Sequence, residues 1–385
     1  MPSASSQNPG ILTRRVPNLS SLEDGTVNSL TTGRGLFSSR PYLQFMEDMR
    51  GGTNVHYEVA YDSTDEDRIV AFIPVYDGGA SPNSYWHPNR HYLARAVEEE
   101  PQALWDPCRF IGIRSGYGWS PLLDTELSVD RCSEAIRALM GAVRGKPLAA
   151  MFMSTAGRDI LCHSGLSHSD FFVAGATSEL SVGGRSFDDY VADLPRPPKA
   201  RREMQRFAQS GASAEVLSLR EAADLIAPHL VSLATKYGLT SSVDAELVEL
   251  HGLNRRFGDA ARALVLRRGG ATIGGAVFIE WEGELYVRQA GFDYDQTGKS
   301  FEYFNVYYSI VRHAIECGAE KVDFGMSAYR AKLVRGASIK PLWGYAEDRS
   351  GRRLTERPQF RRWDARRREC LTNGSIEEIE RADLP

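Results

Sequence analysis

Residues 285–317 read LYVRQAGFDYDQTGKSFEYFNVYYSIVRHAIEC, and their order decides the fold: a strand-like run, a polar loop, then a long helix with an apolar stripe. The loop closes on TGKS (297–300), which matches the end of a nucleotide-binding P-loop. That motif requires a glycine, four residues, then Gly-Lys-Ser or Gly-Lys-Thr. Counting back from Gly298 puts Asp293 where the glycine should stand. A carboxylate there repels phosphate and does not take the tight turn that glycine allows. Nucleotide hydrolysis is excluded, and the loop needs another role between its strand and its helix.

Composition sets the outer limits. At 385 residues, with 42% hydrophobic and 25% charged residues, the chain has the size of two globular domains. No apolar run reaches the roughly 20 residues of a membrane span. The start, MPSASSQNPGILTRR, has no apolar core of a signal peptide, so a cytoplasmic location is expected. Five cysteines, odd in number and never in a CxxC pair, argue against a disulfide framework and against structural zinc, and no metal site is expected. His163 and His168 form no ligand pair with nearby carboxylates.

The net charge of −4 disfavours a general nucleic-acid binder, yet it hides two basic clusters. RRLTERPQFRRWDARRR (352–368) holds eight arginines interleaved with Phe360 and Trp363, and PPKARREMQR (197–206) holds Lys199, Arg201, Arg202 and Arg206. Each is either a phosphate-contacting surface or a solvated helix face.

Along the chain, residues 1–34 lack periodicity and are expected as a poorly ordered leader. A helix over 38–49, a hairpin (NVHYEVAY, RIVAFIPVY), the helix VDRCSEAIRALMGAVRG and the strands PLAAMFMST and DFFVAGATSELSV follow. SFDDYVADL leads into the basic helix KARREMQRFAQS. Ser218 with Glu221 opens a capped helix, expected to kink or break at Pro228. After the helix ending at Gly258 come three strands in hairpin succession, with Gly-Gly and Glu-Gly turns. The 300–317 helix has Ser300 as its expected N-cap, and KVDF and KPLWGYAED are the last strands. Both halves run strand, turn, strand, then strand, loop, helix, strand, which points to a duplicated unit.

SFDDYVADL with KARREMQRF, the meander ALVLRRGGATIGGAVFIEWEGELYVRQAGFD and the segment DFGMSAYRAKLVRGASIKPLWGY carry a resemblance. This order of elements resembles the GNAT acyltransferase fold, and two such units in one chain resemble the FemABX group and the related FemAB-like acetyltransferase domain. The resemblance spans residues 35–347 and is densest over 185–347. It implies an α+β chain of tandem GNAT-like units, 35–184 and 185–350, each a mixed, mostly antiparallel sheet flanked by helices. An arginine-rich helix and an acidic tail, 351–385, complete it.

The resemblance also frames the donor. Coenzyme A-dependent members carry Arg/Gln-x-x-Gly-x-Gly/Ala between the central strand and the helix, where backbone N–H groups and the helix N-terminus bind pyrophosphate. Here Gln296 is followed by Thr, Gly and Lys, so the second glycine is missing, and two aspartates precede it. FemABX proteins depart from the motif too, and take their acyl group from aminoacyl-tRNA. The expectation is therefore an aminoacyl-tRNA-dependent aminoacyltransferase, without a cofactor, acting on an amine of a small molecule or a cell-wall precursor. An acyl-CoA-dependent N-acyltransferase and a non-catalytic binding module are the alternatives.

Amide formation from an activated ester needs a positioned amine, a proton relay and oxyanion stabilisation, but no covalent nucleophile. Neither a GxSxG elbow nor a Cys-His arrangement is evident. Alternation along LYVRQAGFD puts Tyr286, Arg288 and Ala290 on one face and Val287 and Gln289 on the other. Arg288, costly in a central strand unless paired, is either a substrate anchor or an internal ion pair. Lys332, matched to the closing-segment lysine, and Tyr329 complete the catalytic candidates. Donor contacts are expected from Gly298, Lys299, Ser300, Tyr303 and Phe324. Acceptor contacts are expected from Arg114 and Tyr117 in the RSGYG loop and from Tyr286. Lys199, Arg202, Arg206, Arg361, Arg362 and Arg366 are the expected tRNA contacts.

Overall fold

The computed structural model describes residues 10–49, 54–77, 107–236, 238, 240–297 and 301–373. The chain divides into two compact units, Met1–Gly175 with Pro341–Glu369, and Ala176–Lys340 with Cys370–Pro385. Among the described residues no helix is long and apolar enough to cross a membrane.

In the first unit β1 (Ile11–Val16), β2 (Asn54–Asp62), β3 (Asp65–Asp77), β4 (Arg109–Ile111), β6 (Leu148–Met153) and β13 (Ser338–Glu347) lie side by side in that order. The short β5 (Leu122–Leu123) pairs with β3. Neighbours are antiparallel except β4 and β6, which are parallel and are connected through α3 (Val129–Val143). Helix α3 buries Ala135, Ile136, Leu139, Met140 and Val143, the spacing of one helical stripe. Among the described residues, helices α1 (Asp24–Thr31), α2 (Arg40–Asp48) and α4 (Thr155–Cys162) also belong to this unit, with α11 (Pro358–Asn373) joining it through Glu369.

One expectation is corrected here. Residues 10–34 are not a loose leader: β1 pairs with β2, and Leu19, Leu22, Val27 and Leu30 are buried. The Ser- and Asn-rich composition masked the alternating ILTRRV strand. The expected arginine-rich helix is α11, whose Phe360 packs edge-on against Phe172 at 4.9 Å, and the acidic tail from 374 on lies outside the described residues.

The second unit orders β7 (Phe172–Ser181), β12 (Lys321–Asp323), β11 (Glu284–Phe292), β10 (Ala271–Trp281), β9 (Ala261–Arg268) and β8 (Ala212–Ser218). Every pair is antiparallel except β11 and β12, which are connected through α9 (Glu302–Glu316). The succession of pairings is the same as in the first unit, so the duplication is one of topology. Its helices also include α5 (Phe187–Ala192), α6 (Pro197–Gln209), α7 (Leu219–Lys236), α8 (Val243–Phe257) and α10 (Tyr329–Leu333).

On one side of this sheet Leu264, Leu266, Ala276, Phe278 and Leu285 pack with Ala200 and Phe207 of α6 and with Ile310 and Val311 of α9. On the other side α7 comes close because Gly291 has no side chain; a Cβ there would lie 2.3 Å from the His229 carbonyl oxygen. Helix α7 runs unbroken through Pro228, where packing of Ile226, Ala227 and Leu230 outweighs the lost backbone bond. The Gly269-Gly270 and Glu282-Gly283 turns all have positive φ, as two-residue hairpins require.

A bulge alters the central strand. Val277 pairs with Gln289 and Phe278 with Val287, so Arg288 is an extra residue in β11. Ala290 consequently joins Leu285, Val287 and Phe292 on the α9 side. The expected common face of Tyr286, Arg288 and Ala290 is therefore broken at Ala290.

Candidate functional site

The polar loop after β11 is organised by the aspartate that ruled out the P-loop. The Asp293 carboxylate accepts the backbone N–H groups of Asp295 at 3.0 Å and Gln296 at 3.2 Å, and the Gln296 amide at 2.7 Å. Its own carbonyl accepts Thr297 Oγ1 at 2.6 Å. Helix α9 begins beyond Phe301, a non-glycine residue held at φ 61°. Its first residue, Glu302, is fully buried and ion-paired with Arg268 of β9. Arg268 also donates to the Gln296 carbonyl at 3.0 Å and to Ser210 Oγ at 3.3 Å. The expected donor residues Gly298, Lys299 and Ser300 lie outside the described residues.

Cations flank this loop from two helices. The Arg206 guanidinium of α6 stands 5.7 Å over the Phe301 ring, and the Lys236 ammonium of α7 stands 4.2 Å over the Tyr294 ring. Both side chains belong to exposed residues. Sequence reading singled out Arg206 but not Lys236, which looks like an ordinary helix-end lysine. His229 of α7 lies close to the same turn. Burial holds its imidazole below the usual range, while Asp293 and a hydrogen bond to the Thr272 backbone carbonyl pull the other way.

Tyr303 and Phe324, expected on the donor side, meet through Tyr307. The hydroxyls of Tyr303 and Tyr307 are 2.8 Å apart, and the Tyr307 and Phe324 rings are 5.2 Å apart. Tyr303 is partly exposed whereas Phe324 is buried. Beneath them runs a buried charged network. Glu203 of α6 accepts Arg335 at 2.8 Å and the Tyr308 hydroxyl at 2.7 Å. Burial pushes the Tyr308 hydroxyl well above the usual tyrosine range, and its bond to Glu203 adds to the shift while Arg335 opposes it.

Lys332 and Tyr329 are brought together on α10, both buried. The Lys332 ammonium donates to the carbonyls of Gly325 at 2.9 Å and Met326 at 2.7 Å. These carbonyls belong to a turn in which Ser327 and Ala328 both take positive φ, an uncommon conformation for residues with a side chain. The Tyr329 hydroxyl donates to the Ala176 carbonyl at 2.9 Å and accepts the Ala176 N–H at 3.3 Å. Both side chains thus hold backbone, and Tyr329 is not presented as an open hydroxyl relay.

The same turn contains a group that sequence reading missed. The Asp323 carboxylate accepts Thr177 Oγ1 at 2.7 Å and the Gly325 N–H at 2.8 Å. Burial raises its pKa to about 6, although both hydrogen bonds favour the charged form. A lone aspartate ending the short KVDF strand gives no sequence signal of this depth.

Arg288 is paired with Glu249 of α8 at 3.3 Å, the internal ion pair of the two readings. The Tyr286 hydroxyl donates to Glu284 at 2.7 Å. Arg114 and Tyr117 belong to the first unit. Burial lowers the Arg114 pKa, and the Tyr117 ring sits 4.4 Å from that of Phe37.

The two basic clusters differ. On α6 Lys199, Arg202 and Arg206 are exposed opposite a buried stripe of Ala200, Glu203 and Phe207. On α11 only some arginines face solvent, among them Arg361, Arg362 and Arg366. Arg357 pairs with Asp348 at 2.8 Å, Arg353 with Asp170 at 3.0 Å, and Arg367 donates to the carbonyls of Val173 and Ala174 at 3.1 and 3.2 Å. Arg353, Arg357 and Arg367 are therefore framework.

Residues 198–333 match the family model of the acetyltransferase (GNAT) domain. The matched stretch has the fold of a GNAT-type domain. Among solved structures, FemX superposes with a TM-score of 0.54 at 10% identity, covering 83% of this chain and 95% of that one. A conserved protein of unknown function from Bacteroides thetaiotaomicron gives 0.53 at 11% identity, covering 84% and 95%. L-PGS from Bacillus licheniformis gives 0.50 at 12% identity, covering 86% and 92%. At these identities the likeness is one of fold. No curated protein matches the chain.

A GNAT-type domain implies coenzyme A, whose diphosphate needs free amides and positive charge at the start of the helix after the central strand. Here the Asp293 carboxylate takes the amides of Asp295 and Gln296, and Glu302 fills the first turn of α9 against Arg268. Two carboxylates stand where the cofactor needs donors, so the described residues match that diphosphate poorly.

Proposed function

We propose that this GNAT-type acyltransferase takes its acyl group from an aminoacyl-tRNA and transfers it to an amine of a small molecule or a cell-wall precursor. The observation that carries the reading is the self-occupied loop. In its described part Asp293 holds the amides of Asp295 and Gln296 and the buried Glu302 is paired with Arg268, while Arg206 and Lys236 stand exposed beside Phe301 and Tyr294, cations of the kind that contact a nucleic-acid backbone. The FemABX resemblance and the FemX-like fold support the same donor.

The acceptor amine attacks the ester carbonyl, a tetrahedral intermediate forms, and the C–O bond breaks. The tRNA terminal hydroxyl leaves with a proton as the amide appears. On this reading Arg206, Lys199, Arg202 and Lys236 contact phosphates, and Arg361, Arg362 and Arg366 add contacts from the first unit. Tyr303 and Phe324 line the donor end. Lys332 positions the Gly325–Met326 turn, with Asp323 holding its amide side.

The acetyltransferase-domain match favours acetyl-CoA as the competing donor. Purified protein supplied with a pool of charged, radiolabelled tRNAs and a mixture of amine acceptors should form labelled amide, and ribonuclease should abolish it. Product from acetyl-CoA without RNA would reject the proposal in favour of the cofactor. No product from either donor, with no donor binding, would favour the binding-module alternative.

A further inference from the structure

We infer that Glu280, His313 and Cys317 form a binding site for a divalent ion of the zinc class. Glu280 lies on β10, His313 in the last turn of α9, and Cys317 at its C-cap four residues on, so the last two share one face of the helix end. One carboxylate oxygen, one imidazole nitrogen and the thiol sulfur all fall within 4.8 Å of one another. His313 Nε2 and Glu280 Oε1 are already 2.8 Å apart. Ligands at zinc bond lengths of about 2.0–2.3 Å sit roughly 3.5 Å from each other in a tetrahedron, so small rotamer adjustments suffice.

The donor set selects the ion. One thiolate, one imidazole and one carboxylate suit zinc or cobalt, whereas magnesium and calcium prefer oxygen-only shells. Three protein ligands leave a fourth position, and Cys317 is exposed, so water can fill it. Arg262 Nε, 3.8 Å from Glu280 Oε1, is the nearby cation that an incoming ion must outcompete for the carboxylate. The Phe278 ring lies 5.4 Å from that of His313 and limits where the imidazole can turn. Binding releases the thiol proton and ties the last turn of α9 to β10. The opposite end of α9 carries the donor loop, so the ion fixes the helix that presents it. The scattered cysteines gave no hint of this site, because the third ligand comes from a strand more than thirty residues earlier.

Chelator-treated full-length protein titrated with cobalt(II) should take up one ion with tetrahedral d–d bands and a thiolate-to-cobalt charge-transfer band, displaced by zinc. Cys317→Ser should lose the charge-transfer band. His313→Ala and Glu280→Gln should each weaken binding about tenfold or more. In the unaltered chain, zinc should protect Cys317 from maleimide, read by mass spectrometry of the labelled peptide, which needs no variant to fold. Absence of the band, a band that survives Cys317→Ser, or unchanged labelling of Cys317 with zinc present overturns the assignment.

Discussion

Glu203 on α6 and Arg335 after α10 face each other at 2.8 Å with both side chains almost sealed from water. The guanidinium also lies 3.9 Å over the Phe304 ring, so this pair fastens α6 to α9. Removing one partner strands the other charge, which costs about 3–5 kcal/mol. Arg335→Ala should lower the urea midpoint accordingly, at an unchanged slope. The double change Glu203→Leu with Arg335→Met should recover more than half, since neither charge is left behind. Single-variant losses below about 1 kcal/mol would show that the pair does not anchor α6.

Asp323 gives a pH dependence of opposite sign to that of most carboxylates. Its pKa is about 6 in the folded chain, mainly through burial, against an ordinary 3.8. The folded state therefore holds the proton more tightly than the unfolded state. Its contribution is fully present below about pH 4 and is lost as pH rises through 6, an effect of roughly 3 kcal/mol. Asp323→Asn keeps an oxygen that can accept from Thr177 and Gly325 and cannot ionise. The stability of this variant relative to the parent should rise between pH 4 and 7 and level off above it. A flat difference over that range would mean that Asp323 titrates normally.

The exposed arginines of α11 and the buried Arg357 and Arg367 should behave as two classes. Reversing Arg361, Arg362 and Arg366 to glutamate should leave thermal stability within a few degrees of the parent. It should also raise KM for charged tRNA and flatten its salt dependence by up to about 3 in the log–log slope. Arg357→Ala and Arg367→Ala should instead destabilise the fold by about 2–4 kcal/mol, because Asp348 and the carbonyls of Val173 and Ala174 lose their donors. An unchanged salt slope in the triple variant would make the exposed face a solvated surface only.

What was legible in the sequence follows from what leaves a periodic trace. The three-strand meander, its Gly-Gly and Glu-Gly turns, the Ser218 capping box and the stripe of α9 all arise from local patterning, and each is found where the pattern puts it. Arg288 was ambiguous because its partner, Glu249, lies 39 residues away. The bulge at Arg288 leaves no trace in LYVRQAGFD, since an inserted residue shifts alternation only against a neighbouring strand. The depth of Asp323 and the framework role of Arg353, Arg357 and Arg367 are products of tertiary packing, and no one-dimensional pattern records them.

Lys332 combines support with function. Replacing it by methionine removes the donor to two carbonyls in a turn with two positive-φ residues, and about 1–3 kcal/mol of stability should go with it. Lys332→Ala should likewise lower stability, because the same two carbonyls lose their donor. If the turn positions the donor, kcat should fall more than tenfold at temperatures where the variant is folded, with KM for tRNA little changed. Full kcat in the folded variant would leave Lys332 as a strut.

Asp293 offers the most direct test of donor choice. Asp293→Ala frees the Asp295 N–H and the Gln296 side-chain amide and removes a negative charge beside the start of α9, while the Gln296 N–H keeps its bond to the backbone carbonyl of residue 293. The variant should bind coenzyme A, by calorimetry, at least about tenfold more tightly than the parent, a change of 1.4 kcal/mol or more. Loss of the turn's internal bonds should cost about 1 kcal/mol of stability. Transfer from charged tRNA should weaken only to the extent that the loop loses order, because the flanking cations Arg206 and Lys236 are untouched. If the parent and the variant bind coenzyme A equally well, the carboxylate is not what closes the loop to a diphosphate, and the case for an RNA-borne donor loses its main support.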